Sequence, residues 1–163
     1  MTLLRAIACS ILFMAAAFSQ MQPAFTVDGG NGNNLTLTAA DLSKLPQHTV
    51  AATDHGTPVK FEGVLLSDVL ARVQAPVAEK LRGKALAEYL LVEAADGYRV
   101  VFALAELDPA FSDKRVYLVT QRDGKPLSEK EGPFRIVAPD EKRPARWVRQ
   151  VTALKIKEAS DAP

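Results

Sequence analysis

Cysteine is almost missing from this chain: one among 163 residues, Cys9, set inside an apolar run near the N-terminus. Everything after that run is without a thiol. This excludes a disulfide framework, a thiolate nucleophile and a thiolate-held metal from the rest of the sequence. Histidine is nearly as scarce, with only His48 and His55. Their separation matches neither one face of a helix nor one face of a strand, so no metal site is expected. There is no Gly-x-Ser-x-Gly elbow, and the serines sit in cap or turn contexts, which argues against a hydrolytic triad. No glycine-rich nucleotide loop follows a strand. A surplus of one charge is missing too: 20 Lys and Arg against 19 Asp and Glu leave a formal charge of +1. Nothing resembles the basic arm of a nucleic-acid binder. The acids Glu93, Asp96, Glu106 and Asp108 lie near one another in sequence, but Asp96 is explained by a turn and no catalytic pair is assigned.

Long apolar runs are limited to one. Arg5 precedes Ala6 to Phe18, "AIACSILFMAAAF", which is short for a bilayer span and is followed by small residues near Ser19. This pattern reads as a signal peptide over residues 1–19, and so predicts a periplasmic or secreted protein with no stable membrane anchor after cleavage. Cys9 lies within the run, not after it, so lipidation is not expected. Residues 20–34 contain "DGGNGNN" and read as a flexible linker. The domain is expected over 35–157, with a tail at 158–163.

Within the domain, turn signals punctuate short β-rich runs. "HTVAATDHGTPVKFEGV" reads as two strands about Asp54, His55 and Gly56, and "YLLVEAADGYRVVFAL" as two strands about Asp96-Gly97. "RVYLVTQRDGKPL" repeats that logic with Asp123-Gly124. Thr38 caps a short helix carrying Leu42 and Leu45 that stops at Pro46, and Ser67 is placed as the cap of a second over "LSDVLARV". "VAEKLRGKALAEY" is a helical or mixed region, "ALAELDP" one further turn, and "FRIVAP" a strand. "WVRQVTALKIKE" closes the domain, with Thr152, Leu154 and Ile156 expected on one face. Hairpins with short helices between them predict a mixed α+β domain with a mainly antiparallel sheet, not a doubly wound fold.

The densest local positive charge follows the "FRIVAP" strand. Arg135, Lys142, Arg143, Arg146 and Arg149 face only Asp140 and Glu141 in that stretch, and it delivers the sole tryptophan, Trp147. Arginines bind phosphate or carboxylate in bidentate fashion, and an indole offers a flat wall. Charge counting alone favours the plainer reading, a solvated loop on which Lys142 and Arg143 balance Asp140 and Glu141, with Trp147 in the core.

The ordered segments "FEGVLLSDVL", "DGYRVVFALAEL", "DGKPLSEKEGPFRIVAP" and "RWVRQVTALKI" resemble the molybdopterin-binding domain of the sulfite oxidase-like family. The resemblance covers Leu35 to Ile156 and is most specific from Gly124 to Val151. It implies a mixed α+β fold that holds molybdenum through a pterin dithiolene and one protein cysteine, in enzymes that oxidise sulfite or reduce sulfoxides. It also implies cofactor-binding roles for Arg135, toward the phosphate-bearing end, and for the segment of Arg146, Trp147 and Arg149. Two departures accompany it. Molybdopterin is implied, but no cysteine after the signal stands ready for molybdenum. Glu131 also occupies the place where an asparagine commonly precedes the Gly-Pro pair, and a carboxylate there repels phosphate. The expectation is an exported domain of this fold without its own molybdenum redox chemistry, binding a small anionic ligand or a periplasmic protein partner. The alternative is an active molybdopterin-dependent oxidoreductase, of sulfite or sulfoxide type, or a subunit of one.

Overall fold

The computed structural model describes residues 22–159; the expected signal segment 1–19 lies outside them. Among the described residues ten strands form two five-stranded sheets. The first contains β1 (Ala24–Asp28), β2 (Asn34–Thr38), β5 (Glu88–Ala94), β6 (Arg99–Ala103) and β10 (Val151–Glu158), in the order β2-β1-β10-β5-β6. The second contains β3 (His48–Asp54), β4 (Thr57–Leu65), β7 (Tyr117–Arg122) and β8 (Lys125–Pro126) in that order, with β9 (Arg135–Val137) also paired to β7. Every pairing is antiparallel except β1 with β10. Among the described residues three short α-helices lie between strands: α1 (Ala39–Leu42), α2 (Leu66–Ala71) and α3 (Leu104–Leu107). The mixed α+β fold expected from the hairpin pattern is the fold observed.

The turns form where the sequence signals them, for local reasons. His55 and Gly56 join β3 to β4 with φ of 49° and 84°, and Asp123 and Gly124 join β7 to β8 with φ of 51° and 73°. Two consecutive positive φ values make the turn whose twist matches that of the strands it connects. Asp96 Oδ1 accepts from Tyr98 N at 2.9 Å and holds the β5–β6 turn. Thr38 caps α1 as expected, its Oγ1 accepting from Asp41 N while Asp41 Oδ2 accepts from Thr38 N. Hydrogen bonds from Lys44 and then Thr38 pull Asp41 down to about 2.

Four expectations need correction. Residues 20–34 are not simply a linker, because Ala24–Asp28 is a sheet strand that buries Phe25 and Val27 at 1% exposure each. At the other end β10 runs through Glu158, one residue beyond the expected boundary. Ser67 does not cap α2: the helix leaves β4 directly, and Leu66 N is already used by Val116 O at 2.9 Å. Thr152 points outward while Ala153 and Leu154 are both buried, since a register shift between Val151 and Ala153 breaks the alternation.

The core lies between the sheets and is built on Phe25, Phe61, Phe102, Phe134, Leu118 and Leu154, all at most 1% exposed. Phe25 and Phe134 meet edge-to-face with centroids 4.7 Å apart. Gly63 sits where the β4–β7 register shifts. A Cβ there would lie 2.2 Å from Leu118 O and 2.5 Å from Val119 Cα, both backbone atoms. Gly63→Ala is therefore expected to cost about 3 kcal/mol in urea unfolding, at the upper end of overpacking penalties. A loss below about 0.5 kcal/mol, the range of ordinary surface changes, would contradict that close approach.

Candidate functional site: a buried ion cluster beneath an open cationic cavity

β9 is three residues long and wholly buried, which puts Arg135 in the interior at 1% exposure. Its guanidinium carbon lies 5.1 Å from the Phe61 ring centre and 5.7 Å from that of Trp147. Arg135 Nη1 donates to Asp54 Oδ2 at 3.0 Å and also to Glu131 Oε1. Arg122 Nη1, from the end of β7, donates to the same two oxygens at 3.1 and 2.9 Å. Two guanidiniums and two carboxylates thus alternate in one closed cluster. Ser128 Oγ donates to Glu131 Oε2 at 3.1 Å and anchors the second carboxylate. Burial pushes the Asp54 carboxyl upward, but the hydrogen bond and charge of Arg135, with the charges of Arg122 and His55, outweigh burial and hold it below the usual carboxylate range. The cluster is not saturated: Arg135 Nε and Asp54 Oδ1 are buried without a hydrogen-bond partner.

Arg146 is committed elsewhere. Its guanidinium reaches Glu106 at 3.0 Å and also Glu141, and donates to Val101 O at 3.0 Å. It stacks 4.2 Å above Phe102. Burial pushes Glu106 up, and the Arg146 hydrogen bond, the Ala103 N–H and the Arg146 charge more than reverse this, leaving it lowered. Trp147 is a core wall at 6% exposure, edge-on to Phe61, with Nε1 donating to Ala138 O at 2.9 Å. Arg149, one residue past Val148, is exposed.

An open cavity of about 420 Å³ lies against the other side of this wall. Its rim includes His55, Asp96, Tyr98, Lys130, Trp147 and Arg149. Among the described residues no ion pair engages Lys130 or Arg149. His55 Nε2 stands 3.8 Å from Asp54 Oδ1 and links the cavity to the ion cluster behind it. Tyr98 OH donates to Ala145 O at 2.7 Å, fixing its ring at the edge.

Of the four residues expected to bind a cofactor, the structure brings Trp147 and Arg149 to the cavity. It places Arg135 behind the wall and Arg146 on a separate ion-paired node. His55, Lys130 and Tyr98 come to the cavity from other segments and were not expected there. His55 reads in sequence as a turn residue, and nothing local distinguishes Lys130 from any exposed lysine.

The donor set decides what the site fits. Residues 22–159 contain no cysteine, so no thiolate faces the cavity from them. Among the described residues no group of three or more His, Cys, Asp or Glu side chains is placed to hold a metal ion. The lining carries two cations, Lys130 and Arg149, and one carboxylate, Asp96, and it does not fit a molybdenum centre held by a protein thiolate.

A cofactor-domain fold of mixed sheets, with a cationic cavity beside the Gly-Pro-x-Arg strand, defines the class of this protein. The chain belongs to the family described as oxidoreductase molybdopterin binding domain, which matches residues 16–162. Among solved structures it is similar to the sulfane dehydrogenase SoxCD from Paracoccus pantotrophus, with a TM-score of 0.64 and 21% identity. That likeness covers 82% of this chain and 37% of the other, so this chain spans little more than a third of its length. No curated protein matches it.

Removing one carboxylate from the cluster strands a buried charge. Asp54→Asn is expected to cost about 3 kcal/mol at pH 7. Because the folded carboxyl is held below its ordinary value, its contribution is present above the unfolded pKa and is lost as pH falls through the folded one. The gap between wild type and variant, read by urea unfolding, should therefore narrow in acid. A gap that is constant down to about pH 2 would contradict the assignment.

Proposed function

We propose that this is an exported domain that binds a small anionic ligand in the cavity bounded by His55, Lys130, Trp147 and Arg149, without molybdenum redox chemistry of its own. The observation that carries the reading is the division of labour among the cations. Arg135 and Arg146 are consumed by carboxylates of the chain, whereas among the described residues no ion pair engages Lys130 or Arg149, which share an open concave surface with one carboxylate, Asp96. Uncommitted cations beside a flat apolar wall suit a phosphate or carboxylate attached to a ring system, a pterin derivative among them. The donor set supports binding over redox catalysis, since no thiolate or clustered ligand is available from residues 22–159. The apolar run Ala6 to Phe18 behind Arg5 supports export. No helix among the described residues is long and apolar enough to cross a membrane.

Family membership supports a second reading, in which the chain is an active molybdopterin-dependent oxidoreductase, or a subunit of one completed by a periplasmic partner. Metal analysis separates the two. Protein purified from molybdenum-replete cells is expected to carry no stoichiometric molybdenum, and one molybdenum per chain, with pterin fluorescence on denaturation, would decide for the second reading. The cavity itself is tested by calorimetric titration with inorganic pyrophosphate. Arg149→Ala should weaken binding by about tenfold, the scale of one charge-assisted contact. Unchanged affinity in Arg149→Ala and in Lys130→Ala would remove the cavity from the account.

A further inference from the structure

The arginine pair Arg122 and Arg135 is occupied by an anion that the chain itself supplies. Glu131 lies on the connection between β8 and β9, four residues before Arg135, and remains partly exposed while Arg135 is not. It meets both guanidiniums through one oxygen, Oε1, and its other oxygen is held by Ser128. A guanidinium is a planar fork that matches a carboxylate or phosphate through two parallel bonds. Here neither arginine is matched in that way, and Arg135 Nε is left buried without an acceptor. A network built only to stabilise the fold would satisfy that group. The connection bearing Glu131 is fastened mainly through main-chain bonds: Gln150 N donates to Glu131 O at 2.9 Å, and Gln150 Nε2 to Glu129 O at 2.7 Å. The Glu131 side chain is therefore a plug set between two arginines and not the element that holds the connection in place.

We propose that Glu131 is a specificity-determining residue that keeps exogenous oxyanions away from Arg122 and Arg135, by filling with its own carboxylate the place that a tetrahedral oxyanion would take. With Glu131 ionised, both guanidiniums hydrogen-bond the same two carboxylates, Asp54 being the other, and a third, exposed carboxylate, Asp123, stands 3.8 Å from Arg122 Nε. Replacing Glu131 with glutamine keeps the shape and one acceptor oxygen but leaves the buried Arg135 facing one carboxylate, Asp54. Inorganic phosphate or sulfate would then enter. This inference does not rest on the open cavity, whose cations are distinct.

The test uses thermal unfolding with inorganic phosphate at constant ionic strength, in a Lys130→Ala/Arg149→Ala background that removes the cavity's cations. The background protein is expected to show no phosphate-dependent stabilisation. Adding Glu131→Gln is expected to produce a rise of about 5 °C at phosphate well above its dissociation constant. Further substitution of Arg122→Gln should abolish that rise. A folded Glu131→Gln protein indifferent to phosphate would overturn the proposal, as would a phosphate response in the background that Arg122→Gln removes. If Glu131→Gln does not fold in buffer, its refolding yield with added phosphate at constant ionic strength reads the same property. A gain that Arg122→Gln abolishes is expected there, and no gain would equally overturn the proposal.

Discussion

A guanidinium at 1% exposure between Phe61 and Trp147 must be neutralised where it lies, because an unpaired charge in the interior costs several kcal/mol. This requirement ties together parts of the chain that share no local contact. Asp54 comes from the end of β3, Arg122 from the end of β7, and Glu131 from the connection into β9. Arg135 and Asp54 are separated by 81 positions in sequence. Asp54 and Arg122 each sit at the mouth of a two-residue turn, so the geometry of the two hairpins sets the geometry of the cluster. Phe61, opposite Arg122 in the sheet, supplies the aromatic face beneath both guanidiniums.

The same arrangement separates structural cations from available ones. With Arg135 and Arg146 paired to carboxylates of the chain, the cavity lining keeps Lys130 and Arg149 outside any ion pair among the described residues, beside Asp96 and Trp147. Trp147 is the partition between the two regions, with one side toward Phe61 and Arg135 and another toward the cavity. His55 bridges them, lining the cavity while facing the unpartnered Asp54 Oδ1. Of the four arginines from Arg135 to Arg149, Arg135 and Arg146 are paired with carboxylates of the chain, and Arg143 and Arg149 are exposed.

Much of the fold was legible because its signals are local. His55-Gly56, Asp96-Gly97 and Asp123-Gly124 require positive φ at glycine, and each lies between runs of β-forming residues. Thr38 and Asp41 satisfy one another within a single turn. β1 was not legible, since five residues beside a glycine- and asparagine-rich stretch carry little pattern and its parallel partner lies at the other end of the domain. Thr152 misled because a bulge cannot be read from alternation. At the site, the Gly-Pro-x-Arg resemblance implied Arg135 as a cofactor contact, whereas the structure buries it against Asp54 and Glu131; Glu131 was already conspicuous as a carboxylate out of place. What could not be read was that these two are partners and that Asp54, apparently an ordinary turn acid, completes them.

The central claim is that Arg135 is locked in a buried, internally neutralised cluster in the protein without any ligand. Nitrogen-detected NMR of the arginine side chains tests it most directly. Ligand-free protein should show Arg135 guanidinium protons that are resolved and slow to exchange with water, and Asp54→Asn should broaden or shift them. A single averaged Nη signal for Arg135, in fast exchange with solvent, would show a free arginine waiting for a ligand and would contradict the account.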